Sequence, residues 1–181
     1  AIKMPTFHME KGKQVCRIEL KRGVMFHPGP GIPSHELTAD DVVYSLSKSA
    51  DMKHSVYASN YAGVTVHKNG RYAIEITINP PLSTLLFFSK LTNYGGGFIV
   101  SKKAVTTMGS REFSRHPVGT GPFAFKQYLP GSKVDLTAHK NYFRGTPKLE
   151  GIEFHLITDL QDREEAFRNG KMDIITGSGE N

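Results

Sequence analysis

The chain of 181 residues has room for one or two domains, and its 38% apolar side chains can fill a core, which excludes disordered and collagen-like classes. Its densest apolar run, Leu85-Leu86-Phe87-Phe88, falls far short of the about 20 residues of a membrane-spanning helix. The formal charge of +6 is uneven (+2 over residues 1–60, +5 over 61–120, −1 over 121–181), and one cysteine, Cys16, excludes an internal disulfide and a cysteine-rich zinc site.

Ala1-Ile2-Lys3-Met4-Pro5 has neither the basic nor the apolar region of a secretion signal and lacks an initiator Met. The expectation is an internal part of a longer product. Val15–Leu20 alternates, with Cys16, Ile18 and Leu20 on one face and Arg17 and Glu19 on the other, which predicts a half-buried strand. In that setting Cys16 acts as a small core hydrophobe. Residues 27–36, rich in proline and glycine, read as a loop without regular structure. A helix then starts at Thr38, with Asp41 placed as in a capping box and Leu37 and Val42 as a hydrophobic staple. Asp40 and Asp41 suit the positive end of its dipole and need no catalytic role.

A hairpin follows. A three-residue loop, Lys68-Asn69-Gly70, pairs Val66 with Tyr72 and Val64 with Ile74, so that Tyr72, Ile74, Ile76 and Ile78 share one apolar face. Pro80-Pro81 ends the strand and leads into a short apolar helix over 82–91. Gly95-Gly96-Gly97 lacks the strand and the downstream Gly-Lys-Ser/Thr of a phosphate loop. Ser101 caps a helix running to about Met108. Strands are predicted over 123–128, 133–138, 151–157 and 172–175, with a helix from Asp159 to about Asn169 that Gly170 stops. Strands mixed with helices point to an α/β (mixed α+β) fold.

No catalytic constellation emerges. The eight histidines form no His-Glu-x-x-His, His27 and His35 are loosely spaced, and Gly-x-Ser-x-Gly is absent. Neither a catalytic residue, a metal site nor a cofactor is expected. Gly119-Thr120-Gly121 precedes a strand and reads as a turn needing positive φ. Lys102, Lys103, Arg111 and Arg115 form a basic cluster with little aromatic interleaving, a poor pattern for single-stranded nucleic acid.

Two segments carry a resemblance. Arg17–His27 (RIELKRGVMFH) followed by Leu37–Leu46 (LTADDVVYSL) is the first; His116–Phe123 (HPVGTGPF), followed by Pro130-Gly131, Asn141–Leu149 and Phe167–Ile174, is the second. In order and spacing this set resembles the family 5 extracellular solute-binding proteins, the peptide- and nickel-binding receptors of ABC importers. The resemblance implies a lobe of a periplasmic-binding-protein-like fold. Residues 1–121 would be the smaller inserted lobe and 122–181 a middle segment of the first large lobe. Pro117, Gly119, Thr120, Gly121 and Pro122 would form the turn that crosses between lobes. It further implies a non-catalytic receptor, periplasmic or lipid-anchored outside the cytoplasm, that passes peptides or related solutes to the permease subunits of the inner membrane. The family's Phe-His-Asp-Gly is here Phe26-His27-Pro28-Gly29, and its tryptophan after Tyr142 is replaced by Phe143.

Ser55-Val56-Tyr57-Ala58-Ser59 resembles a stretch of peptide-binding members in which the tyrosine faces the ligand, which makes Tyr57 and Ser55 the candidate ligand-binding residues. Tyr57 can offer its ring and hydroxyl to a ligand backbone, or cover the end of the preceding helix. Two other readings remain: a solute-sensing domain of a bacterial transcription regulator, and a basic module binding nucleic acid, a partner not expected here.

Overall fold

The strand read at Val15–Leu20 is β2 (Lys13–Glu19), and it has a neighbour on each side. In a computed structural model describing residues 1–92 and 95–177, β2 pairs with β1 (Thr6–Glu10) and β6 (Ala73–Ile78), and β6 pairs with β5 (Val64–Lys68). All pairings in this four-stranded sheet are antiparallel. The register sets Cys16 opposite Ile76, Ile18 opposite Ile74 and Val66 opposite Ile76. Paired residues share a face, so these side chains form one apolar surface. Cys16 and Ile76 are completely buried there. Strand β1 was not anticipated, although Lys11 and Gly12, both at positive φ, mark the tight turn that leads into β2.

Helix α1 (Ala39–Ser49) lays Ala39, Val42 and Leu46 into the same core. α2 (Thr84–Thr92) adds Phe87, whose ring meets Phe7 edge-on with centroids 5.5 Å apart. Burying one such side chain contributes roughly 1.5–3 kcal/mol. The staple residues Leu37 and Val42 are both buried as expected.

Three local expectations are corrected. First, the hairpin loop is Gly70-Arg71-Tyr72, closed by Asn69 N–H donating to Ala73 C=O at 2.9 Å, so Val66 faces Ile76 and Val64 faces Ile78. The slip is an even number of residues, which keeps every side chain on its expected face. It sets both valines against core isoleucines and frees Tyr72 for the loop, with Gly70 at φ 90° as the turn requires. Second, residues 27–36 are not structureless. β3 (Met25–Phe26) pairs with β4 (His35–Glu36), and Gly29 and Ile32 form a bridge inside that arm.

The helix capped by Ser101 ends at Met108 as expected: within α3 (Lys102–Arg115), Gly109, at φ 78° and ψ 160°, is non-helical and separates it from a second short helix that runs to Arg115. Third, Met172–Ile175 is not a strand among the described residues. It follows α4 (Leu160–Arg168) without reaching a sheet edge, and Ile174 is exposed.

The chain then builds a separate antiparallel sheet from β7 (Phe123–Leu129), β8 (Lys133–Ala138) and β9 (Gly151–His155). Asp159 caps α4 as predicted, accepting from Asp162 N–H at 3.0 Å. No residue of α4 is buried, and Phe154, Leu156, Leu160 and Phe167 are exposed.

Candidate functional site

Tyr57 stands at the start of a short 3-10 turn (Ala58–Tyr61) after α1. Ser55 shapes this turn, its Oγ accepting from Tyr57 N–H at 3.1 Å. The Tyr57 ring is half-buried over the Gly95–Gly97 turn. A Cβ at Gly95 would stand 2.6 Å from Tyr57 Oη, and one at Gly96 would stand 2.7 Å from Tyr61 Cε2 and 2.9 Å from Tyr57 Cβ. The glycine run therefore exists to let two tyrosines lie against the backbone, and it cradles rings rather than phosphate. Tyr61 is the buried partner, donating its hydroxyl to Lys90 C=O at 2.9 Å, and burial raises its pKa. The Tyr57 hydroxyl has no hydrogen-bond partner among the described residues. Val56, beside Tyr57 in sequence, and Phe98, next to the glycine turn, are both exposed.

The Pro117–Pro122 segment, expected as a crossing turn, lies about a different group of residues. Val118 is buried, and its Cγ2 stands 2.7 Å from where a Cβ on Gly29 would lie, so the arm between β3 and β4 closes tightly over the turn. Gly119 C=O accepts from His27 N–H at 2.8 Å. Gly121 C=O receives two histidines, His27 Nε2 at 2.9 Å and His139 Nδ1 at 3.2 Å. A carbonyl can only accept, so both of those nitrogens carry hydrogen. The two rings meet edge to face with centroids 4.6 Å apart, and Pro122 C=O accepts from His139 N–H at 2.8 Å. Gly119 and Gly121 do not adopt positive φ, contrary to expectation. Their turn is held by carbonyls pinned from outside and not by left-handed backbone. Thr120 is half-buried, while Pro117 and Pro122 are exposed at its two ends.

His27 is 4% exposed. Burial lowers its pKa below the ordinary 6.5; the Gly121 bond opposes this and His139 adds to it. Sequence reasoning weighed His27 only as a loosely spaced metal candidate and gave His139 no role. No local signal could have joined them, since Gly121 lies 94 residues from His27. Cys16 is inert, its thiol pushed up to about 11 by burial. Among the described residues, no three His, Cys, Asp or Glu side chains gather as metal ligands. The Gly109 kink separates Lys102 and Lys103 from Arg111 and Arg115, so the basic cluster is not one continuous helical face.

Tyr57 on its glycine turn and the Pro117–Pro122 segment are therefore two separate features. The model of the bacterial extracellular solute-binding proteins, family 5 (middle), matches residues 6–181. The chain belongs to this family. It is 34% identical to MoaA of A. tumefaciens R10, solved with mannopinic acid, at a TM-score of 0.83 over 94% of this chain and 33% of that one. It is 31% identical to the oligopeptide-binding protein AppA of Bacillus subtilis over 78% of this chain and 26% of that protein. It is 26% identical to di/tripeptide-binding protein 4 of Pseudomonas aeruginosa over 86% of this chain and 32% of that protein. The chain thus spans about a third of the length of the family members it matches.

Proposed function

We propose that this chain is part of a non-catalytic receptor that captures a peptide or a related small polar solute outside the cytoplasm and hands it to an ABC import permease. The observation that carries the reading is the family 5 match across residues 6–181. Relatives of the chain are named for peptides, and the structure of MoaA holds mannopinic acid. Residues 1–121 act as the inserted lobe and 122–181 as a segment of its neighbour, joined at Pro117–Pro122. Closure of the lobes about that crossing holds the solute. The receptor works in the periplasm, or on a lipid anchor at the outer face of the membrane.

Tyr57 contributes to capture. Its ring is fixed by Gly95 and Gly96, so little rotamer entropy is lost on binding, and its hydroxyl is free to meet a ligand carbonyl or amide. Ser55 supports it by fixing the turn. Titration calorimetry of the complete receptor with tri-alanine and with mannopinic acid tests this. Tyr57→Phe weakens the solute that binds by about tenfold, the worth of one hydrogen bond. Unchanged affinity removes Tyr57 from the site.

A further inference from the structure

Two aromatic rings on one end of the molecule are each flanked by two cations. The Arg22 and Arg71 guanidiniums lie 5.0 and 5.6 Å from the centroid of Tyr72; Lys21 Nζ and the Arg144 guanidinium lie 5.2 and 5.5 Å from that of Phe143. The cations come from the β2–β3 loop, the β5–β6 loop and the segment after β8, and the adjacent residues Lys21 and Arg22 join the two halves. The loops are tied together by Leu20 N–H donating to Tyr72 C=O at 2.7 Å and by Lys21 Nζ donating to Phe143 C=O at 3.1 Å.

All four cations are exposed, and two carboxylates act on them: Glu36 on Arg71 and Arg22, and Asp40, itself paired with Lys68 at 2.7 Å, on Arg71. Glu36 is already engaged, accepting from Tyr72 Oη at 2.7 Å and from Gly23 N–H at 2.6 Å, with Arg71 at 3.9 Å. Lys21, Arg22 and Arg144 form no ion pair within 4 Å among the described residues, although Arg22 acts on Glu36 from farther away. The positive charge therefore outweighs the carboxylates beside it and is held in place by the rings beneath it.

We infer that this face docks on an anionic lipid surface. The clefts along α1 and at the start of α3 are lined by none of the four cations and neither ring. Exposed cations spread over three chain segments suit a plane of phosphodiester headgroups better than an extended acidic peptide, which needs a groove to hold it. Docking here places the protein at the membrane whatever solute it carries.

The test is co-sedimentation of the full chain with vesicles of phosphatidylcholine alone or with about 30% phosphatidylglycerol, at about 0.05 M salt. Binding is expected to the anionic vesicles only, and to fall about a hundredfold in R22Q/R71Q/R144Q. The variant K102Q/K103Q/R111Q loses the same charge from α3 and keeps wild-type binding, with circular dichroism confirming that both variants fold. Equal loss in the two variants, equal binding to neutral vesicles, or binding to immobilised polyglutamate without binding to anionic vesicles each overturns the inference, the last in favour of an acidic protein partner.

Discussion

Asp41 closes two helix ends with one carboxylate. Its Oδ2 accepts from Thr38 N–H at 2.9 Å and its Oδ1 from Lys102 N–H at 2.9 Å, so the first turns of α1 and α3 share a buried negative charge. Asp41→Ala leaves both N–H groups unsatisfied and is expected to cost about 2 kcal/mol in urea unfolding; an unchanged midpoint would deny the bridge. The glycines separate in the same way. Gly96→Ala drives a methyl into Tyr57 and Tyr61, an overpacking expected to cost about 1–3 kcal/mol. Gly121→Ala meets nothing nearer than Phe123 C=O at 3.9 Å and is expected to change stability by less than about 0.5 kcal/mol. Equal losses in thermal melts of the two variants would contradict this placement. The capping role of Asp41 was legible because its Thr38 half is local. Its Lys102 half and the ring contacts of Gly95 and Gly96 were not, because nothing in a local pattern encodes a neighbour tens of residues away.

At the scale of elements, the Pro117–Pro122 segment is held by side chains that belong to other parts of the chain. Folded His27 titrates below 6.5 because it is buried, while the unfolded chain titrates near that value. As pH falls below about 6.5 the unfolded state binds more protons, so the stabilisation present above that pH is lost as pH approaches the folded value of His27, and no more is lost beneath it. His139 is the titratable group facing His27, and charging it adds repulsion. Urea midpoints measured from pH 8 to 5 are expected to fall in the wild type and to flatten in His27→Gln, which can still donate to Gly121; equal slopes would remove His27 as the cause. The hairpin shows the limit of reading elements from sequence. Alternation placed Val64, Val66 and the isoleucines on the right face, but an even slip leaves that pattern unchanged, and only the packing against β2 selects the register. The strand expected at Met172–Ile175 fails for a related reason, since four alternating residues do not say whether a sheet edge is within reach.

Across the whole molecule the burial is lopsided. Every member of the apolar core lies at or before Val118, and among the described residues after it only Asp135 is buried. A piece ending at Gly121 is expected to unfold cooperatively on its own, whereas residues 122–181 alone are expected to be digested rapidly in limited proteolysis; equal protection of both would show a second core. The mixed αβ class was readable from strands alternating with capped helices, while the pair of histidines that meets at Gly121 C=O was not, because His27 and His139 lie far from it in sequence. The most direct measurement is thermal unfolding of the complete receptor with tri-alanine, mannopinic acid or nickel–histidine, followed by mass spectrometry of the bound solute. The expected result is a rise of several degrees in Tm with one of them, recovered at unchanged mass. Conversion of that solute to a product, or no rise with any of the three, would contradict a non-catalytic receptor for this class of solute.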